Sequence, residues 1–514
     1  MDFTKLAKPI FARLTVEADS WTGNEVRVQR RVLLDLLNKA QDTEFGRRHG
    51  FAKILLSPSP EQAFAEAVPA EGYEAFRNDI MKMADGARDV LWPGVCLNFA
   101  QSSGTSGGRS KFVPVTKDGL SRNHYRGAAF PMAFYLDQNP ESCIFSGKGF
   151  ILGGSFESKM KPGNPRAKVG DLSATLIDRI NPLINIFRIP SRRIALLSDW
   201  NVKLALLARA SARENVTNIS GVPSWFMRVL LRVMSDCGVS SVREVWPGLE
   251  VFFHGGISFE PYREEYLRIC GPEMKYVETY NASEGFFAAQ RRLGDGRQPM
   301  QLLLDCGTYF EFLPLGGESP LRVDQIEAGK VYELVISNCN GLWRYRLGDT
   351  VRIESTSPLM ITMAGRTGSF INAFGEELME SNAESAMAEA CAATGASVSN
   401  YTAGPVYASA DRLGRHEWVI EWEKAPESVQ LFAEALDRGL RRVNSDYDAK
   451  RNGDIFLAGP LITTVPPHTF DRWLSRAGNG KLGGQRKIPR LSNSRSLIEQ
   501  ILGTRDEGRG TRSI

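Results

Sequence analysis

The chain has 514 residues, too many for one ordinary core, so two or more domains are expected. Its hydrophobic and charged shares, 42% and 24%, are ordinary for a soluble globular protein. Sixty-three basic against 59 acidic residues leave a formal charge of +4 without a long basic block, so neither a nucleic-acid nor a membrane partner is indicated. No apolar run approaches the roughly 20 residues of a membrane helix, and residues 1–30 lack a signal-peptide core. The seven cysteines show no CxxC spacing, which argues against a zinc site or a disulfide framework. A cytoplasmic, reduced protein is expected.

Residues 1–90 read as helical, with periodic apolar stretches such as VQRRVLLDLLNKA (28–40) and EQAFAEAV (61–68). From 91 the texture changes to strand–loop–helix units. LNFAQ (97–101) enters a loop, KFVPVT (111–116) leaves it, and a helix is expected from 117. GFILGG (149–154) and NVTNISG (215–221) read as buried strands ending in glycine. PSWFMRVLLRVMSDCG (223–238) reads as an amphipathic helix with Pro near its start and Gly past its end. LEVFFHGG (249–256) and MKYVETY (274–280) are strands again. This alternation predicts a largely parallel α/β core with polar loops at the carboxyl ends of the strands, where ligands collect.

Residues 300–363 become β-rich with short turns, which suggests an antiparallel barrel or sheet annex. After AGRTGS (364–369) come a helix, two strands, a helix and a last strand region, a compact α+β unit. The expected domains are 1–364 and 365–502, followed by a polar, Gly/Arg-rich tail at 503–514 that reads as disordered.

Four stretches carry chemistry. In AQSSGTSGGRSKFVPVT (100–116) glycines free backbone N–H groups, hydroxyls add donors and a cation stands at the exit, a phosphate-holding composition. It is not a Walker A loop, and a plain surface loop between strands is the alternative. VETYNASEGFF (277–287) ends a strand in small polar residues and offers Glu284, suited to Mg²⁺, or else begins a helix capped by Asn281 or Ser283. In NGLWRYRLGDTVRIE (340–354), Trp343, Tyr345, Leu347 and Val351 read as inward, and Arg344, Arg346 and Arg352 as outward. Leu347–Thr350 reads as a turn presenting Asp349, either a ribose acceptor or an ordinary hairpin acid. GNGKLGGQRKIPRLSN (478–493) sets Lys481, Arg486, Lys487 and Arg490 among glycines, either a cation free to swing onto phosphate or a solvated basic loop.

In order along the chain, SSGTSGG (102–108), TYNASEGFF (279–287), YRLGDTV (345–351) and QRKIPR (485–490) resemble the GH3 family of acyl-acid amido synthetases. That family is a branch of the adenylate-forming superfamily, with plant and bacterial members; the resemblance here is to a bacterial one. It implies a large N-terminal domain with a β-barrel and α/β sheets, and a smaller mobile α+β C-terminal domain hinged near AGRT (364–367). It also implies a reaction using ATP and Mg²⁺. A small carboxylic acid is adenylated, and the acyl group then passes to an amino acid.

By motif position, Ser102, Ser103, Gly104, Thr105 and Ser106 would bind phosphate, with Lys111 closing the loop. Thr279, Tyr280, Asn281, Ala282 and Ser283 would line the nucleotide, Glu284 would hold Mg²⁺, and Asp349 would bind ribose. Arg366 would lie at the hinge, and Lys487 would reach the reacting phosphate. His254, Gly255 and Gly256 in FFHGGIS (252–258) would wall the acyl site, although a strand-end histidine is more often structural. The sequence departs from the family in reading YNASEG where plant members carry a more serine-rich turn, and it is shorter than they are. An acid–thiol ligase making acyl-CoA, or a nucleotide-binding regulatory protein on a lapsed enzyme fold, are the competing readings.

Overall fold

The computed structural model describes residues 2–102, 111–156, 162–256, 259–294, 296–367, 370–371, 373–374, 376, 378–406, 413–444, 447–448, 451, 457–477, 488–492 and 494–506. The chain forms two compact units, a larger one over Met1–Thr362 and a smaller one beginning at Met363.

The larger unit is built on an eleven-stranded sheet. From one edge its strands run Thr308–Pro314, Val331–Asn338, Tyr345–Thr356, Leu359–Arg366, Met300–Leu302, Phe286–Gln290, Lys275–Asn281, Val251–Gly255, Val216–Gly221, Lys148–Ile151 and Arg188–Ile189. The last five are mutually parallel, as strands connected by helical crossovers must be. Pairing turns antiparallel between Lys275–Asn281 and Phe286–Gln290. The strands expected as a barrel or annex thus continue the edge of the same sheet, joined through Met300–Leu302.

Side-chain alternation along the parallel strands serves two cores, as burial on both faces requires. Phe252 lies in the cluster formed with Phe226, Leu230 and Val233 of the helix Pro223–Cys237 and with Tyr266 and Ile269 of the helix Arg263–Cys270. Val251 and Phe253 lie in the opposite cluster with Tyr135 and Leu136 of the helix Arg126–Gln138. The helix Pro223–Cys237 ends as expected on Gly238, at φ +67°. The helix expected from 117 begins with a seven-residue π-helical segment, Gly119–Tyr125, before turning α-helical.

At the N-terminus, the helix Glu25–Ala40 buries Val28, Val32, Leu33, Leu36 and Leu37 at helical spacing. The rings of Phe45, Phe51, Phe64 and Trp92 gather around Trp343, with Phe51 at 4.7 Å. The helical N-terminal region therefore braces the start of the strand that carries Asp349.

A separate three-stranded sheet pairs Asn98–Ser102 antiparallel with Lys111–Pro114 and parallel with Lys168–Gly170. Ser102 stands opposite Lys111, so the two ends of the hydroxyl-rich loop lie side by side.

In the smaller unit the strands Ser397–Val406, Arg415–Lys424 and Leu461–Val465 form one sheet. Trp418 and Ile420 pack with the helices Glu380–Thr394 and Val429–Val443, while Val419 packs with Phe470, Ile498 and Ile501. The last helix, Ser496–Asp506, runs into the tail expected to be disordered, because Ile498 and Ile501 anchor it to that second core. Residues 507–514 lie outside the described residues.

A turn and a bulge at the sheet junction

The strand Lys275–Asn281 carries Thr279, Tyr280 and Asn281 to the carboxyl edge of the parallel half, and the strand Phe286–Gln290 returns antiparallel. Between them the Ala282 N–H donates to the Gly285 carbonyl at 2.9 Å, and the Gly285 N–H to the Ala282 carbonyl at 3.2 Å. The helix start allowed by the sequence is thus replaced by a tight turn into a strand. A Cβ on Gly285 would stand 2.6 Å from the Phe287 ring, so only glycine fits there.

The turn is held from outside by amides. Asn338 and Asn340 donate through Nδ2 to the Glu284 carbonyl at 2.8 and 3.2 Å. Asn123 accepts from the Phe286 N–H at 2.7 Å and donates to the Phe286 carbonyl at 3.2 Å. Glu284 and Ser283 are both buried, and the Ser283 hydroxyl has no hydrogen-bond partner among the described residues. Asn340 also accepts from the Thr116 N–H at 3.0 Å, and the Thr116 hydroxyl donates to the Cys339 carbonyl at 2.7 Å. The exit strand of the hydroxyl-rich hairpin and the Glu284 turn are therefore fastened to one side chain.

Asp349 does not sit in a turn between strands. It lies within the continuous strand Tyr345–Thr356, at a bulge where the pairing skips from Glu333↔Thr350 to Val335↔Arg346. Gly348, at φ +76°, supplies the left-handed residue such a bulge needs. The displaced Asp349 is buried and accepts a 2.7 Å hydrogen bond from the Tyr280 hydroxyl. This hydrogen bond joins two motifs 69 positions apart.

The expected outward arginines divide. Arg346 and Arg352 are exposed, but Arg344 is buried and donates to both carboxylate oxygens of Glu311 at 2.9–3.1 Å and to the Ala65 and Val68 carbonyls. Arg344 precedes the strand and takes φ +44°, so the two-residue alternation does not reach it.

Next in the sheet is the corner His254–Gly256. The Thr279 hydroxyl donates to the His254 carbonyl at 3.0 Å, and a Cβ on Gly255 would meet the Thr279 carbonyl oxygen at 2.4 Å. The two strands need a bare backbone at this edge. The His254 ring is buried among aromatics, 4.4 Å from Phe259, and its Nδ1 has no partner. Burial, with Arg263 and Arg297 nearby, pushes its pKa down to about 3, so it is neutral near pH 7. Lys111 places its ammonium 5.9 Å from the Tyr73 ring centroid, and Tyr73 accepts from the Phe112 N–H at 3.0 Å.

Of the other expected residues, Ser102 and Arg366 are strand-end backbone positions. Ser103, Gly104, Thr105, Ser106 and Lys487 lie outside the described residues. Asn123, Asn338 and Asn340 were not singled out in the sequence. The NCN spacing at 338–340 is a turn composition and carries no mark of the partner it holds.

Three family models match in chain order: the GH3 family N-terminal domain over residues 17–274, its central domain over 301–366 and its C-terminal domain over 381–496. The first alone spans half of the chain. The chain belongs to the GH3 family. Among its relatives, a probable indole-3-acetic acid-amido synthetase, GH3.1 of Oryza sativa subsp. japonica, is 27% identical over 95% of this chain and 90% of its own length. The protein of the same description in Arabidopsis thaliana is 25% identical over 94% and 92%. Among solved structures, the acyl acid amido synthetase AtGH3.15 in complex with 2,4-DB superposes with a TM-score of 0.77, at 18% identity over 95% of each chain. A 2-hydroxyisobutyryl-CoA ligase in the postadenylation state shares the fold at a TM-score of 0.59 and 12% identity, over 93% of this chain and 91% of its own. This GH3 chain thus shares its overall fold with both structures.

Proposed function

We propose that this GH3 chain is an ATP-dependent ligase that adenylates a small carboxylic acid and transfers the acyl group to an amino acid. The observation that carries the reading is the Tyr280–Asp349 contact, which brings the TYNASE turn and the YRLGDT bulge to one point of the sheet's carboxyl edge. Its family membership and the named activities of its relatives support it.

In this reading Thr279, Tyr280, Asn281, Ala282 and Ser283 line the nucleotide. Asp349, oriented by Tyr280, accepts from ribose hydroxyls. Ser102, Ser103, Gly104, Thr105 and Ser106 cradle the phosphates beside Lys111. Arg366 stands near the nucleotide at the join between an acyl-adenylating domain, 1–364, and a mobile domain, 365–502. The corner His254–Gly256 forms one wall of the acyl site, its shape set by the bare backbone of Gly255.

The donor set for a cation is one buried carboxylate, Glu284. Among the described residues no three His, Cys, Asp or Glu side chains gather to hold a metal. That composition suits Mg²⁺, which takes one or two carboxylates and completes its shell with phosphate oxygens and water. Bound there, Mg²⁺ would offset the repulsion between carboxylate and phosphate anions.

In the first step a carboxylate oxygen of the acid bonds to the α-phosphorus, and the bond to pyrophosphate breaks. Lys487 supplies a cation to the charge that develops there. In the second step the amine bonds to the acyl carbon, the acyl–oxygen bond breaks, AMP leaves and the amine's surplus proton passes to solvent.

ATP–pyrophosphate exchange across a pool of aryl, indolyl and aliphatic acids tests the first step. Exchange dependent on one acid is the expected result; ATP binding with no exchange for any acid would favour a regulatory protein. Offering amino acids and CoA separately to the active acid then separates an amide from a thioester product.

A further inference from the structure

Arg188 lies in the two-residue strand at the far edge of the central sheet, paired in parallel with Gly149. Its neighbour Ile189 and the paired Phe150 both enter the core beneath the helix Pro223–Cys237. Alternation therefore puts the Arg188 side chain on the opposite face. The residue is 5% exposed. Its Nη1 donates to the Pro190 carbonyl at 2.8 Å, while Nε and Nη2 are buried with no hydrogen-bond partner among the described residues.

Among the described residues no carboxylate pairs with it. Burial lowers its pKa, and the charge that adds to this is another cation, Arg192. A guanidinium stays protonated, and a buried charge without a counter-charge is strongly unfavourable. Arg344 shows how the same fold satisfies a buried arginine, with a two-oxygen carboxylate and two carbonyls. Arg188 has the carbonyl and lacks the carboxylate. The donors left over, Nε and Nη2, form the fork that fits two oxygens of a carboxylate or phosphate.

We propose that Arg188 is the core of a second anion-binding site, taking a carboxylate or phosphate group, with Arg192 adding positive charge. Three strands separate it from the strand of Tyr280, so at about 4.8 Å per step it lies roughly 19 Å away across the sheet. It is thus distinct from the turn that carries Glu284. The anion has two possible sources, a free inorganic ion or a carboxylate carried by an organic acid.

The test needs no turnover, and the part of the response that depends on Arg188 distinguishes this site from the phosphate and acyl sites of the ligase reading. Thermal unfolding of the full-length protein is followed without ATP, with inorganic phosphate or glutarate, at matched ionic strength. At least one anion should raise the melting temperature by about 2 °C or more at saturation. A response to phosphate alone assigns a free ion; a response to glutarate assigns a carboxylate group. Arg188→Met should abolish the rise and leave the ligand-free melting temperature equal or higher, because an unpaired buried charge has gone. Arg188→Lys, which keeps the charge and loses the fork, should weaken binding at least tenfold. The proposal is overturned if neither anion stabilises the protein, if the methionine variant keeps the rise, or if it melts lower without ligand. It is also overturned if the lysine variant binds as tightly as the parent.

Discussion

At the scale of single residues, the site depends on a contact between two motifs. Asp349 accepts a hydrogen bond from Tyr280, and a bond to a charged group contributes about 1.5–3 kcal/mol. Tyr280→Phe should therefore raise KM for ATP in the exchange assay about tenfold or more and lower the melting temperature by a few degrees; an unaltered KM would remove Asp349 from the nucleotide site. His124 behaves differently. It is buried with both ring nitrogens unpartnered among the described residues, and burial pushes its pKa down to about 4. Between that value and the ordinary 6.5 the unfolded chain binds the extra proton, so stability falls as pH drops through this window. His124→Leu should match or exceed the parent's stability near pH 7 and show a shallower loss between pH 6.5 and 4, followed by urea midpoints. An equal slope would mean that His124 takes up its proton over the same pH range in the folded and the unfolded chain.

At the scale of elements, a bulge and a buried ion pair position Asp349. Gly348 holds φ +76°, where an L side chain costs roughly 1–2 kcal/mol. Gly348→Ala should lower the melting temperature modestly and raise KM for ATP, because the strand can relieve strain only by moving Asp349. Three residues on, the strand is regular again, and its sequence reads as the alternation it is. Arg344 is the contrast. Burial raises the Glu311 pKa and the Arg344 guanidinium opposes that rise, so removing one partner strands the other. Arg344→Met should destabilise by about 3–5 kcal/mol, and Arg344→Met with Glu311→Leu should recover much of it, measured by denaturant unfolding. A single variant as stable as the parent would show that the pair does not anchor this strand.

At the scale of the whole molecule, the eleven-stranded sheet joins a parallel half to an antiparallel half, and the proposed nucleotide site sits on that seam. The parallel strands end at this junction with their carboxyl ends on one edge, the edge at which α/β proteins bind ligands. The proposed mechanism gives Lys487 the charge that develops on phosphate. Lys487→Ala should slow acid-dependent ATP–pyrophosphate exchange by about 10²-fold or more, the effect of removing one electrostatic stabiliser. The variant's reaction of a supplied acyl-adenylate with amine should change far less. Equal losses in both steps would assign the lysine to the protein's general integrity instead.

Local pattern by itself determined the parallel strands at 148–151, 216–221, 251–255 and 275–281, the helix 223–237 with its terminal glycine, and the four motifs in order. Each of these rests on forces that act over a few residues: side-chain alternation, helical spacing, and the backbone freedom of glycine. Composition could suggest phosphate, cation and ribose chemistry for the same reason, since donors and acceptors are properties of single side chains. Tertiary structure alone decided that TYNASEG is a turn into a strand, that Asp349 rides a bulge rather than a hairpin, and that Arg344 points inward. It also chose Asn123, Asn338 and Asn340 as the clamps of the Glu284 turn, and it left Arg188 buried without a counter-ion among the described residues. These depend on partners tens to hundreds of positions away, and no local periodicity encodes which distant group will fill a side chain's remaining hydrogen bonds.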